Sequence, residues 1–194
     1  GGLNVDTGGI TANVDASPLE PVPDNQCLLA CDATWTGCEQ RSVKVWALQI
    51  FGGTIMHRAQ TIHAIMPSSF MAEAEALHDA LDAAEYLVDF LVEMGCCVDG
   101  ESYVITLVDN KGLVQTTERR AKGGSKLHRR KLGIILQHID SGRYALRHIE
   151  DKHQRVDFLS KLVGKQKFAE SIRTLYNTAN AVKAPCPVRL QPNA

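Results

Sequence analysis

The sequence predicts an α/β fold, a mixed sheet covered by helices, and three observations carry this reading. Strand-like and helix-like patterns succeed one another in the order β-β-β-α-β-α-β-α. Two runs, Cys27-Leu28-Leu29-Ala30-Cys31 and Tyr103 to Val108, are apolar on both faces, as a strand buried on both sides requires. Phe70, Ala74, Leu77, Leu81, Ala84, Val88 and Leu91 form a stripe stepping 4-3-4-3-4-3, the period of a helix laid on a core.

Each element has a local reason. The first strand ends abruptly in Asp32. Val43 to Phe51 and Thr54 to Met66 are β-rich runs about Gly52-Gly53, which predicts a hairpin. The striped helix spans about Ser69 to Met94, with Ser68 or Ser69 as its N-cap. The second doubly apolar strand also ends in an acid, Asp109. A helix is expected over about Leu127 to Ile139, a short strand over Tyr144 to Ile149, and a last helix from near Gln154 toward Asn180.

The chain has 194 residues, enough for one sizeable core. With 44% hydrophobic and 22% charged residues it is too apolar to be disordered. Residues 1–25, rich in Gly and Pro, read as a tail or linker, and 183–194 read the same way. The folded domain is expected over 26–182. No apolar run approaches the ~20 residues of a membrane helix, so no membrane partner is expected. The first residues are neither basic nor apolar, so no signal peptide is expected. The missing initiator Met and the long tails suggest a piece of something larger. Of the six cysteines, none forms a C-x-x-C pair or a zinc spacing. Cys27 and Cys31 are too far apart along a strand to bond, which suggests reduced thiols and an intracellular compartment.

The net charge of −1 hides an asymmetry. Residues 118–131 hold Arg119, Arg120, Lys122, Lys126, Arg129, Arg130 and Lys131 against Glu118, a local charge of +6 on a body of −7. Such a segment suits a polyanionic partner or forms a solvated basic loop.

The acids that interrupt apolar patterns locate the chemistry. In open α/β sheets, ligands bind beyond the carboxyl ends of parallel strands. If the strands ending in Asp32 and Asp109 are parallel neighbours, their carboxylates meet at one edge. Each could also simply open a turn. On the first helix, Glu73 aligns with Leu77, Ala80, Ala84 and Leu91 in or beside the apolar stripe. Glu75 aligns with His78, Asp79 and Asp82 on the wet face. A carboxylate facing a core must be paired, protonated or on a metal, so Glu73 is the informative one. Asp157 lies at the start of the last helix, where an acid also suits the dipole.

Strand Asp, helix Glu, strand Asp, helix Asp is a familiar order. The chain resembles the ribonuclease H family, in particular the divergent domains of plant-type and retroelement proteins. The matching residues are Cys31-Asp32-Ala33-Thr34, Met71 through Leu77, Leu107-Val108-Asp109-Asn110, and Arg147-His148-Ile149 through Val156-Asp157-Phe158-Leu159. Together they cover most of 26–165.

The resemblance implies a five-stranded mixed sheet in the order 3-2-1-4-5. It implies two Mg²⁺ ions, with Mn²⁺ as a substitute, held by Asp32, Glu73, Asp109 and Asp157. Asp32 would bridge both ions, Glu73 and Asp109 would hold mainly one, and Asp157 mainly the other. His148 or His153 would assist product release. The basic segment would grip phosphates of an RNA–DNA hybrid without reading bases. The chain departs from the family at Ala33, usually Gly, and at Gln154, often Asn. Its His148-to-Asp157 stretch is slightly short. Its two Trp, Trp35 and Trp46, lie outside the basic element.

Three functions are thereby in view. The first is a metal-dependent endonuclease cutting the RNA strand of a hybrid. The second is a non-catalytic binding or architectural module within a reverse transcriptase or large ribonucleoprotein. The third is an integrase or exonuclease. Integrases place Glu last, where this chain has Asp157, and carry their second acid on a strand.

Overall fold

The computed structural model describes residues 27–37, 41–50, 53–95, 104–120 and 125–176. The expected tails, Gly52, Tyr103 and Lys122 lie outside them. Five strands form one sheet: β1 (Cys27–Thr34), β2 (Val43–Ile50), β3 (Gly53–Thr61), β4 (Val104–Val108) and β5 (Tyr144–His148). Their order is β3-β2-β1-β4-β5, the mixed sheet that the resemblance implied. β1–β2 and β2–β3 are antiparallel, whereas β1–β4 and β4–β5 are parallel.

The double apolarity of β1 has a direct cause, since its residues alternate between two cores. Leu29 and Cys31 face one core with Trp46, Leu48, Leu77, Leu81 and Ile135. Leu28 and Ala30 face the other with Val45, Ala47, Leu107, Ile149, Val156 and Leu175. The first core is roofed by α1 (Ser69–Glu93) and α3 (Lys126–Asp140), the second by α4 (Asp157–Ser160) and α5 (Lys165–Tyr176). Each fully buried leucine contributes about 1.5–3 kcal/mol by leaving water.

The stripe on α1 is buried as expected, with Phe70 half-buried at its start. Ser68 is the cap, its hydroxyl accepting the N–H of Met71 at 3.3 Å. Gly95 beyond α1 and Gly142 beyond α3 have φ of +68° and +76°, the left-handed turn that ends a helix most cheaply at Gly.

Three expectations are corrected. Two helices, not one, separate β4 from β5: α2 (Lys111–Glu118) precedes α3. α2 contains Gly112, Thr116 and Thr117, weak helix formers that hide it in the sequence. It forms because Asn110 caps it, accepting the N–H of Leu113 at 3.0 Å, and because Leu113 and Val114 are buried. β3 stops at Thr61 rather than Met66. There Ile62 turns inward to join Met66, Met71 and Ala72 in a small separate cluster.

The last helix is not continuous from Gln154. A 3-10 turn (Asp151–His153) comes first, then the single turn of α4, then α5. Gln154 is extended, at φ −66° and ψ 116°, because its side chain is used elsewhere. Its Nε2 donates to the Cys31 carbonyl at 2.8 Å, and its Oε1 accepts the N–H of Arg155 at 3.1 Å. Lys161 is extended again at φ −146° and ψ 157°, which ends α4.

The buried Arg155 guanidinium donates to Gln49 Oε1 at 3.1 Å. Gln49 Nε2 donates in turn to the carbonyls of Thr174 and Leu175 at 2.7 and 3.1 Å, tying β2 to the last turn of α5. Burial pushes the Arg155 pKa down to about 10. Cys27 and Cys31 are buried thiols that take part in no disulfide. No helix among the described residues is long and apolar enough to cross a membrane.

Candidate active site

The parallel pairing of β1 and β4 determines where the site lies. Ala30 stands opposite Leu107, so the same register carried two residues further sets Asp32 beside Asp109. Both acids then lie at the carboxyl edge of the sheet. Asp157, the first residue of α4, closes on them from the second core. One oxygen from each of Asp32, Asp109 and Asp157 lies within 4.8 Å of the other two.

Glu73 joins from the opposite side. It is buried on the first turns of α1, and its Oε1 accepts the N–H of Ala33 at 3.3 Å. Its Oε2 is buried with no hydrogen-bond partner. Burial first, and then the charges of Asp32 and Asp109, push the Glu73 pKa up to about 10, against the opposing Ala33 N–H. Asp109 is pushed up to about 7 by burial and then by Asp32 and Asp157. Asp157 rises to about 6, mainly through burial, with the bond from Lys167 opposing. These shifts express crowding, since buried carboxylates at close range cannot all ionise without a cation.

Side chains that the sequence reading passed over complete the cluster. The Ser160 hydroxyl lies 2.7 Å from Asp32 Oδ2 and 3.0 Å from the Asp157 carbonyl, and shares its one hydrogen between them. Lys161 Nζ lies 3.1 Å from Asp157 Oδ1, and Lys167 pairs with Asp157 Oδ2. Burial works against the Lys161 ammonium, but Asp32, Asp157 and Asp151 outweigh it and push its pKa up. The i,i+3 and i,i+4 spacings from Asp157 were available signals for Ser160 and Lys161. Lys167 sits on a separate helix and leaves no local signal. The Cys31 thiol, adjacent to Asp32, is pushed well up by burial and then by Glu73.

The two histidines part company. His148, at the end of β5, has Nε2 3.1 Å from the Asp109 carbonyl and donates to it. His153 instead lines a crevice between the 3-10 turn and α5 with Lys152, Arg155 and Lys167.

The basic segment also divides. Arg119 and Arg120 follow α2, while Lys126, Arg129, Arg130 and Lys131 lie on the first turns of α3. Arg120 is engaged by Asp140 through both guanidinium nitrogens, at 2.9 and 2.6 Å. Lys131 pairs with Glu75 at 2.7 Å. Glu75, expected on a wet face, is half-buried and also 3.6 Å from Lys44. Among the described residues Arg119, Lys126, Arg129 and Arg130 are exposed and carry no ion pair.

The donor set is all carboxylate oxygen, which suits a hard divalent cation such as Mg²⁺ or Mn²⁺. The orphaned Glu73 Oε2 and the three converging aspartates fit such an ion.

Neither a family model nor a curated relative matches the sequence. Solved structures do match. An RNase H1 isolated from compost by a metagenomic approach is 22% identical, with a TM-score of 0.56 over 70% of this chain and 92% of that one. The N-terminal RNase H domain of a Mycobacterium tuberculosis protein is 14% identical, with a TM-score of 0.54 over 76% and 96%. RNase H1 from the halophilic archaeon Halobacterium salinarum is 20% identical, with a TM-score of 0.54 over 70% and 94%. The compost enzyme in complex with an RNA/DNA hybrid is 19% identical to this chain over 69% of it, with a TM-score of 0.54. The sheet order, the crossover connections and these likenesses agree: the chain has the ribonuclease H fold.

Proposed function

We propose that this chain is a divalent-metal-dependent nuclease that hydrolyses the RNA strand of an RNA–DNA hybrid. The observation that carries the reading is the convergence of Asp32, Asp109 and Asp157 at the sheet edge, with buried Glu73 beside them. A cluster with so high a cost of desolvation and repulsion has a use when cations bind it. The fold supports the reading further, since one structure of that fold was solved with an RNA/DNA hybrid.

Asp32, Glu73, Asp109 and Asp157 would hold two Mg²⁺ ions, or Mn²⁺ in their place. The chemistry such ions supply when bound is activation of a water for in-line attack and stabilisation of the leaving 3′-oxygen. The chain's own residues set the stage. The Ala33 N–H and the Ser160 hydroxyl orient the Glu73 and Asp32 carboxylates. Gln154 fixes the backbone before Asp157 against β1. His148, beside Asp109, is the better placed of the two histidines to assist product release. Arg119, Lys126, Arg129 and Arg130 would contact phosphates of the hybrid, which positions it without reading sequence. The 2′-hydroxyls would distinguish its RNA strand.

The test is cleavage of an end-labelled RNA–DNA hybrid with Mg²⁺ or Mn²⁺, beside an Asp32→Asn variant. Metal-dependent loss of the RNA strand, absent in the variant, is the expected result. Tight hybrid binding without cleavage would favour the architectural module.

A further inference from the structure

The four acids are not compensated alike. Asp157 is fully buried, yet both its oxygens face ammonium groups, Lys161 on Oδ1 and Lys167 on Oδ2. The two lysines come from different places in the fold, Lys161 just past the end of α4 and Lys167 on α5. Both also reach the Asp151 carboxylate, at 3.3 and 3.7 Å, and Lys167 donates to the Asp151 carbonyl at 2.7 Å. At the other end of the cluster, Asp32 has the Ser160 hydroxyl and Glu73 has the Ala33 N–H. Among the described residues neither those two acids nor Asp109 has a cationic side chain within ion-pair distance.

We propose that Lys161 and Lys167 are built-in counter-cations of the cluster, so that one divalent ion binds tightly at Asp32, Glu73 and Asp109 and a second reaches Asp157 only by displacing them. This rests on the metal-site reading above and sets an order on it. A cation approaching Asp157 meets two positive charges already in contact with both oxygens. An approach to the other three acids meets no ammonium in contact with a carboxylate oxygen, since the Lys161 charge acts on Asp32 and Asp109 only from beyond ion-pair distance, and it meets the orphaned Glu73 Oε2. An opposite charge at this range changes the affinity of a carboxylate for a proton by about ten- to a thousandfold, and the same field acts on a metal ion.

The experiment is a Mn²⁺ titration of the full chain, following free Mn²⁺ by electron paramagnetic resonance, with no substrate present. The wild type should show one tight equivalent and a second about ten- to a thousandfold weaker. Lys161→Met and Lys167→Met, each of which leaves one lysine to support folding, should tighten the second site more than the first. Lys161→Arg, which keeps the charge, should preserve the wild-type order. Two equal sites in the wild type, or a second site unmoved in both Met variants, would overturn the inference while leaving the metal-site reading intact. No Mn²⁺ bound by any of these proteins would overturn that reading as well.

Discussion

The backbone N–H of Ala33 lies 3.3 Å from Glu73 Oε1 and donates to it, while Glu73 Oε2 is buried without a partner. The bond joins the first turns of α1 to the end of β1, one residue past Asp32. One bond does not offset burial beside two other acids, so Glu73 holds its proton to about pH 10 in the absence of metal.

The first prediction concerns stability against pH. The folded pKa of Glu73 lies above the ordinary 4.5, so the folded chain binds more protons than the unfolded one between these values. Metal-free stability is therefore greatest below pH 4.5 as far as this group is concerned, and is lost as pH rises toward 10. Glu73→Gln should flatten that slope. At pH 7 the gain should be about 3 kcal/mol, since each pH unit above 4.5 costs about 1.36 kcal/mol. Urea melts of both proteins at several pH values check this.

Metal affinity should rise with pH. Glu73 ionises near 10, Asp109 near 7 and Asp157 near 6, and a ligand carboxyl must lose its proton to bind. Mn²⁺ should bind more weakly below pH 6 than at pH 8, with proton release on binding near neutrality. Calorimetry in buffers of different ionisation enthalpy measures the protons released.

The divided basic segment gives a salt signature. Arg129→Ala and Arg130→Ala should each weaken hybrid binding uniformly across sequences and lower the salt slope by about one. Arg120→Ala should leave the slope nearly unchanged, because Asp140 already holds that guanidinium. Affinities at several salt concentrations compare the three.

Gln154 should matter to the fold as much as to the site. Gln154→Leu strands the buried Cys31 carbonyl and should destabilise the chain by about 1–3 kcal/mol. A lower urea midpoint with an unchanged slope is the expected signature.

Much of this was legible in residues 26–160. Asp32 and Asp109 could be located because apolar runs stop there, and Glu73 could be told from Glu75 by helical phase alone; Asp109 does follow the end of β4, but β1 continues past Asp32 to Thr34 by pairing with β2. The positions of Ser160, Lys161 and Lys167 around Asp157 could not be read in full. They depend on α4 ending after one turn, where the backbone becomes extended at Lys161, and on α5 folding back to bring Lys167 against Asp157, an arrangement that no local spacing announces. α2 was hidden for a similar reason. Its buried Leu113 and Val114 stabilise a helix that its Gly and Thr content disfavours. The pairing of Arg120 with Asp140 spans 20 residues and leaves no pattern in the sequence.

Metal-dependent hydrolysis of RNA in a hybrid is the function proposed for the converging carboxylates. Its most direct test is an Asp109→Asn variant beside the wild type, on a labelled RNA–DNA hybrid with excess Mg²⁺ or Mn²⁺. RNA-strand cleavage by the wild type is expected, with a loss of several kcal/mol in barrier lowering, about a thousandfold or more in rate, in the variant. Equal cleavage by both, or none by a folded wild type with metal in excess, would contradict it.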